Sequence, residues 1–276
     1  MLKFSNANAK TEALKEVDYL KPFLAAYQPK SKPRKIYSFD LLSGYSCPFA
    51  EACLSKAVEV DGKRKIKDGP KTKFRCFSAS QEVQYNKVYN LRKHNYDTLR
   101  DLKLPEYDQE GAAHLNEMIH RLNTDLPKDA GIIRIHVAGD FFNADYMFAW
   151  ISMAMMHPDK LFYAYTQSLK YWLEHREWID QIPNFVLTAS YGGRDDSLIA
   201  KHNLRYAKVV FSEAEAASLE LEIDHDDSHA ADPHNADKSF ALLLHGTQPK
   251  ETEAADALKL LKKNNVKHSY NRKKKA

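Results

Sequence analysis

Short apolar runs alternate with longer amphipathic segments over most of the chain. The apolar runs are rich in β-branched and aromatic residues and predict strands at residues 36–42, 132–138, 160–166, 184–190, 207–212 and 239–245. The amphipathic segments that follow predict helices at residues 145–156, 169–179, 195–203 and 251–264. Because alternating βα units make parallel strands with right-handed crossovers, the pattern predicts an α/β fold with six mostly parallel strands.

The strands read as nearly all apolar, which is expected when helices cover both faces of a sheet. Six such units form either an open sheet or an incomplete barrel. In both cases a ligand lies beyond the carboxyl ends of the strands.

The first part of the chain has a different pattern. Residues 9–27 predict one amphipathic helix, the proline-containing stretch QPKSKPRK predicts a linker, and residues 81–100 and 109–123 predict two more helices. Residues 43–80, rich in Gly, Pro and Lys, predict a long loop with short helical pieces, and a loop of that length is usually functional. The expected organisation is an N-terminal helix and linker (1–34), an α/β domain with the cysteine loop and a closing C-terminal helix (35–265), and a basic tail (266–276).

Composition narrows the function only slightly. The 276 residues can bury a full core, no apolar run reaches the length of a membrane span, and the charged N-terminus lacks a signal-peptide core. We therefore expect a cytoplasmic protein with no membrane partner. The net charge of +4 is a weak hint of an anionic partner. The basic end, KHSYNRKKK, predicts a solubilising tail, with a nucleic-acid contact as the alternative.

Small and polar residues follow each predicted strand. If the strands are parallel, these residues converge on one end of the sheet, where we expect Cys47, Gly139, Gln167, Ser190 and His245. Asp140 either accepts a hydrogen bond from a ligand amine or hydroxyl, or caps the helix that begins near residue 144. No Walker loop, G-x-G-x-x-G or G-x-S-x-G motif is present in the sequence.

The three cysteines, Cys47, Cys53 and Cys76, carry the strongest chemical signal. Their odd number argues against a disulfide framework, and thiolates bind zinc or iron–sulfur clusters. Three thiolates on a [4Fe–4S] cluster would leave one iron open. The alternatives are zinc, with His94 or another histidine as a fourth ligand, and three unrelated buried thiols. A second histidine-bearing segment, IDHDDSHAADPHNAD, predicts a solvated loop, with a metal site as the alternative.

Several blocks of the chain resemble the phage gene product 88-like domain family, over about residues 35–265. The blocks are SGYSCPFAEACLSKA (43–57), DGPKTKFRCFSAS (68–80), RIHVAGDFFNADYMFAWISMA (134–154), FYAYTQSLKYW (162–172) and NFVLTASYGGRDD (184–196). This resemblance implies a phage protein, which would lie in the host cytoplasm, but it names no reaction.

A more distant resemblance is to radical S-adenosylmethionine enzymes, which have a six-stranded partial (βα) barrel, three cysteines after the first strand and a glycine-rich acidic motif after the second. It implies that Cys47, Cys53 and Cys76 ligate a [4Fe–4S] cluster. Gly139 and Asp140 would lie near the methionine amine of S-adenosylmethionine, with Gln167 and Ser190 as further contacts and Asp140 in a catalytic role. The cysteine spacing here, C-x5-C-x22-C, departs from the C-x3-C-x2-C of that superfamily.

Two functions follow as hypotheses. The first is a phage-type iron–sulfur protein that acts as a radical S-adenosylmethionine-like enzyme on an unknown substrate. The second is a non-enzymatic, metal-stabilised protein that binds nucleic acid through the basic tail and the basic insert DGKRKIKDGPKTK (61–73).

Overall fold

The structure, a computed structural model, describes residues 1–27, 30–102, 112–235 and 237–266. The predicted basic tail lies outside these residues, apart from residue 266. The strands are β1 (Phe4–Asn6), β2 (Ala26–Tyr27), β3 (Lys30–Pro33), β4 (Lys35–Phe39), β5 (Ser55–Val60), β6 (Lys63–Asp68), β7 (Ala130–Ile135), β8 (Leu161–Thr166), β9 (Phe185–Ser190), β10 (Tyr206–Val210), β11 (Glu222–Ile223) and β12 (Phe240–Leu243).

The α-helices are mostly short. They are α1 (Ala9–Glu12), α2 (Lys21–Leu24), α3 (Phe77–Gln84), α4 (Asn86–Arg100), α5 (Ala112–Asp125), α6 (Ala144–Met156), α7 (Leu169–Glu174), α8 (Arg176–Ile179), α9 (Ser197–Lys201), α10 (Glu213–Ser218), α11 (Ser228–Ala231) and α12 (Glu253–Lys263). Two 3-10 turns, Ala13–Glu16 and Asp18–Leu20, join α1 to α2.

One large, mostly parallel sheet organises the chain. Its eight strands lie in the order β1-β4-β7-β8-β9-β10-β12-β11. The six predicted strands are β4, β7, β8, β9, β10 and β12, and each pairs in parallel with the next. The mixed α/β class is therefore confirmed. Among the described strands, the edges β1 and β11 do not pair with each other, so no closed barrel forms, and a radical-SAM-like barrel is not confirmed.

Apolar side chains cover both faces of this sheet. On one face, Phe39, Phe162 and Trp150 form part of a large cluster with helices α4 to α6. On the other face, Leu14 and Leu20 of the N-terminal segment pack with residues of the central strands. The N-terminal segment thus forms one layer of the fold.

The single N-terminal helix predicted for residues 9–27 is wrong. Val17 is extended, with φ −84° and ψ 118°, and separates the two 3-10 turns. Pro22 then opens the short helix α2, because its ring suits a first helical turn and interrupts a helix interior. Burial of Leu14 and Leu20 prevails over the helical period in this segment.

Other helix predictions need smaller changes. The helix predicted for residues 81–100 is two helices that meet at the extended residue Tyr85, and that predicted for residues 169–179 breaks at His175. The part of the 109–123 prediction that the structure describes coincides with α5, and α12 confirms the closing helix. Across the described residues, no helix has the length and apolarity needed to cross a membrane.

Residues 43–80 hold regular structure where the sequence analysis predicted a loop. Strands β5 and β6 form an antiparallel hairpin of six residue pairs. Its turn is Asp61–Gly62, with φ of 53° and 69°. Positive φ at both turn residues is the geometry that Asp-Gly favours between two strands.

Candidate functional site: the thiol site and the lysine face

The loop after β4 holds Cys47 against the loop after β7. The Gly44 amide donates a hydrogen bond to the Cys47 Sγ over 3.3 Å. Gly139 has a φ of +93°, and a Cβ there would lie 2.6 Å from the Ser46 Oγ. A side chain at position 139 would therefore push the two loops apart, which explains the glycine next to Asp140.

Cys53 lies beside the side chain of Gln167, which follows β8. The Cys53 Sγ is 3.8 Å from the Gln167 Oε1. The neighbouring Ala52 amide donates to the Gly192 carbonyl over 2.8 Å. These contacts join the cysteine loop to the turns after β8 and β9, at the carboxyl end of the sheet.

Cys76 is the N-cap residue of α3. The backbone amides of Ser78 and Ala79, in the first turn of α3, lower the pKa of its thiol. Its own amide donates to the Ser55 Oγ over 3.3 Å, where β5 begins. The hairpin therefore starts next to the third cysteine. We use the name thiol site for Cys47, Cys53, Cys76, Asp140 and Gln167.

Asp140 is almost fully buried and accepts three hydrogen bonds from neighbouring groups. Its donors are the Thr166 hydroxyl at 2.6 Å, the Gln167 amide at 2.8 Å and the Phe141 amide at 2.8 Å. Burial raises the pKa of Asp140 to about 6, against the effect of these donors. Helix α6 is capped by Asn143, so the carboxylate holds the loops after β7 and β8 together and does not cap that helix.

The three thiols lie close enough to influence one another. Burial, then the charges of Asp140, Cys53 and Cys76, raise the pKa of Cys47 well above its usual range. Burial, together with Cys76 and Asp140, raises the pKa of Cys53 to about 12. Burial also raises the pKa of Cys76, against the effect of the backbone amides of Ser78 and Ala79. All three groups are therefore neutral thiols at pH 7.

The other predicted site residues differ in their surroundings. Ser190 ends β9, and the backbone of that residue pairs with Ala207 of β10. His245 follows β12, and its ring centroid lies 4.8 Å from that of Phe77, the residue after Cys76. Both positions are at the carboxyl end of the sheet, as expected. The roles of Gly139, Asp140, Gln167 and Ser190 in binding S-adenosylmethionine stay predictions.

Slow thiol alkylation at neutral pH is a direct consequence of the raised pKa values. Since the thiolate is the nucleophile, we expect Cys47 and Cys53 to react with iodoacetamide far more slowly than free cysteine at pH 7.5, and faster as the pH rises. Mass spectrometry of native and urea-denatured protein measures this. Native alkylation at the rate of free cysteine would contradict the burial argument.

The hairpin displays a lysine face that the sequence analysis did not predict. Residues opposite each other in an antiparallel pair share a face of the sheet. Lys56 lies opposite Lys67, Val58 opposite Lys65, and Val60 opposite Lys63. One face therefore carries four lysines and two valines, with no acidic residue. We use the name lysine face for Lys56, Lys63, Lys65 and Lys67.

The opposite face of the hairpin packs on the protein. The Arg64 Nε donates to the Glu82 carbonyl of α3 over 2.9 Å, and Asp68 accepts from Arg75. Ala57 on this face is 1% exposed, whereas Lys63, Lys65 and Lys67 are exposed. The signal that predicts this hairpin, Asp-Gly between alternating residues, is present in the sequence.

Comparison with known proteins gives the family. A model of the Gene product 88 family matches residues 1–263. The chain belongs to this family. A curated Gene 88 relative, the "Gene 88 protein" of Mycobacterium phage L5, is 29% identical over 126 residues, which cover 45% of this chain and 44% of the relative. The chain thus matches less than half the length of that relative. No solved structure matches the chain.

These matches support a phage origin and say nothing of a reaction. They do not support the more distant resemblance to radical S-adenosylmethionine enzymes. Membership of the Gene product 88 family brings no iron–sulfur or radical function with it.

The predicted iron–sulfur function is wrong. In the part of the chain that the structure describes, no group of three or more histidine, cysteine, aspartate or glutamate side chains is arranged to hold a metal ion. The three cysteines do not qualify although they lie near one another, and His94 hydrogen-bonds the Met1 carbonyl at 2.8 Å. The zinc-stabilised alternative fails for the same reason.

The histidine-bearing segment is also not a metal site within the described residues. The His229 Nε2 lies 3.2 Å from a Glu222 oxygen, and its Nδ1 lies 3.7 Å from an Asp224 oxygen. Asp224 raises the pKa of His229 to about 9 through a hydrogen bond, with Glu222 contributing. The segment is not a solvated loop throughout, because Asp224 and Asp227 are buried.

Proposed function

We propose that this Gene product 88 protein binds nucleic acid through the lysine face of the β5–β6 hairpin. The observation that supports this proposal most strongly is that the lysines and the acidic residues of the hairpin lie on opposite faces. The acidic residues within the strands, Glu59 and Asp68, lie on the face with Arg64, and the lysines share the other face without an acid.

Repulsion among the lysines of the lysine face destabilises the hairpin, and no salt bridge within the described residues compensates for it. Lys56 and Lys67 are directly opposite each other, and like charges in that position destabilise a sheet. None of the four lysines forms a salt bridge with a described residue. The Lys56 Nζ makes a cation–π contact with the Tyr45 ring, 4.8 Å from its centroid. An anionic partner would relieve this repulsion.

The spacing of the lysines suits a repeating anion. Side chains two residues apart on a strand are about 6.8 Å apart along the strand axis, since each residue rises about 3.4 Å. Lys63, Lys65 and Lys67 therefore form a row with a regular repeat along β6. A nucleic-acid backbone presents a regular row of phosphates, and neutralising them with lysine releases counterions and drives binding.

The place of action follows from the partner. A phage protein that binds nucleic acid would act in the host cytoplasm, and we propose that location. The predicted basic tail would add to the same electrostatic attraction.

A charge-neutralised variant tests the proposal. We expect Lys56→Gln/Lys63→Gln/Lys65→Gln/Lys67→Gln to weaken binding of a fluorescein-labelled 20-nucleotide oligonucleotide at least tenfold at 0.1 M salt. The reason is the loss of phosphate contacts, each of which contributes about 0.7 to 0.9 to the slope of log K against log salt. Fluorescence anisotropy over a salt series gives both quantities, and the slope should fall by about 3.

A matched control separates the lysine face from net charge. Lys201, Lys238, Lys262 and Lys263 are exposed and lie outside the hairpin, so their replacement by glutamine removes the same charge. This control should keep most of the affinity. Equal weakening in both variants would show non-specific attraction, and unchanged binding in the hairpin variant would refute the lysine face as the binding surface.

A further inference from the structure

We propose that the nucleic acid bound by the lysine face is single-stranded, and that its bases stack on Tyr45 and Tyr191 along the rim of the thiol site. This inference rests on the proposed function and adds the strandedness of the partner. It comes from two exposed tyrosines, each paired with a lysine, on loops that are bonded to each other.

Tyr45 lies beside Lys56, at the end of the lysine face where β5 begins. Its side chain is 40% exposed, and the Lys56 Nζ lies 4.8 Å from the ring centroid. The Tyr45 hydroxyl donates to the Ala57 carbonyl of β5 over 3.2 Å, and its own carbonyl accepts from the Tyr96 hydroxyl. The ring is therefore held in place at both ends while a large part of it remains open to a base.

Tyr191 repeats this arrangement on the turn after β9. It is 37% exposed, and the Lys208 Nζ lies 5.5 Å from its ring centroid. The Tyr206 ring contacts it edge-on, with centroids 5.4 Å apart. Neighbouring side chains thus support this ring too.

Backbone hydrogen bonds join the two tyrosine loops. The Ala52 amide donates to the Gly192 carbonyl over 2.8 Å, and the Arg194 amide donates to the Phe49 carbonyl over 2.9 Å. Phe49 of the first loop has a lysine beside it as well: the Lys170 Nζ lies 5.3 Å from its ring centroid and 3.0 Å from an Asp195 oxygen. The two joined loops therefore present three aromatic rings, each with a lysine beside it.

This composition favours a single strand over a duplex. In a duplex the bases stack on one another, and the outer surface offers phosphates that lysines alone can bind. A single strand offers unstacked bases as well, and aromatic rings beside a cationic track are the recurring means of binding them. Exposed, supported tyrosines on loops joined to the lysine face therefore favour the single strand.

The test compares a 20-nucleotide single strand of mixed sequence with its duplex, by anisotropy at one salt concentration. We expect wild-type protein to bind the single strand more tightly. Tyr45→Leu and Tyr191→Leu should each weaken single-strand binding at least about fivefold, the loss typical of one stacked base, and leave duplex binding and the salt slope unchanged. Tyr45→Phe, which keeps the ring but loses the hydroxyl bond to Ala57, should lose much less affinity than Tyr45→Leu.

Controls keep the outcomes distinct. Trp178 is 50% exposed on α8, and Trp178→Leu should change nothing; near-ultraviolet circular dichroism checks that each variant is folded. If both tyrosine variants bind the single strand as wild type does while the lysine variant fails, stacking is overturned and the proposed function stands. If wild type prefers the duplex, single-strand specificity is overturned. If neither nucleic acid binds, both proposals fall.

Discussion

Replacing Asp227 with alanine should lower the free energy of unfolding by about 3–5 kcal/mol, the largest effect we expect from one substitution. Asp227 is fully buried, and its carboxylate binds Arg134 of β7 and the Lys10 Nζ, the latter at 2.6 Å. The Tyr165 and Tyr163 hydroxyls donate to it over 2.9 and 3.2 Å. Removing the anion leaves the buried Arg134 guanidinium without its carboxylate partner, which accounts for a cost of this size.

Urea denaturation followed by circular dichroism measures this loss. Asp18→Ala is the control, because Asp18 also pairs with a lysine, Lys21, but is 91% exposed; its unfolding midpoint should stay close to that of wild type. If Asp227→Ala shifts the midpoint no more than Asp18→Ala does, the buried network does not hold the N-terminal segment on the sheet.

The sequence could not reveal this network. Asp227 belongs to an acidic stretch that reads as solvated, and its partners come from α1, β7 and β8, far away in the chain. Asp227 also has a φ of 66°, outside any regular element. Only the packing of the N-terminal segment and α11 on the same face of the sheet brings these charges together.

The parallel sheet, by contrast, was predictable strand by strand. The central strands β7, β8 and β9 are mostly apolar and buried along nearly their whole length, and in β7 all six residues are buried. Their short length and their β-branched and aromatic residues favour strands over helices. The residues at the carboxyl ends, including Cys47 and Gln167, converge for the same topological reason.

The hairpin and the nature of the thiol site were harder to predict. Lysine-rich β6 lacks the apolar alternation of a half-buried strand, so composition favoured a loop although Asp61–Gly62 indicated a hairpin. For the cysteines, the position of each in the sequence predicted that the three side chains lie near one another, but it did not determine whether they can bind a metal ion. A metal site also needs donor atoms directed at one point, and sequence spacing does not set side-chain direction.

Asp140 should make the stability of the protein fall as the pH rises from about 4 to about 6. Burial raises its pKa from 3.8 to about 6, so the folded protein keeps a proton in this window that the unfolded chain has released. Stability then decreases with rising pH. A shift of about two pKa units corresponds to about 3 kcal/mol, present below pH 4 and lost above pH 6.

Asp140→Asn isolates this contribution because asparagine has the same shape and does not titrate. Its oxygen can still accept from Thr166 and Phe141, while its amide meets the Gln167 amide, which also donates. The clash should cost about 1–3 kcal/mol at every pH. The free energy of unfolding of wild type minus that of the variant should therefore be largest at pH 4 and decrease by about 3 kcal/mol by pH 7.

Urea unfolding of both proteins at pH 4, 5, 6 and 7 gives this difference directly. Asp145→Asn, at an exposed position in the first turn of α6, serves as the control. Its free energy of unfolding should change with pH in the same way as that of wild type. A gap between wild type and Asp140→Asn that stays constant with pH would mean that the carboxylate is ionised throughout. In that case the three donors, and not burial, would determine its charge, and the loops after β7 and β8 would be joined by a permanent anion.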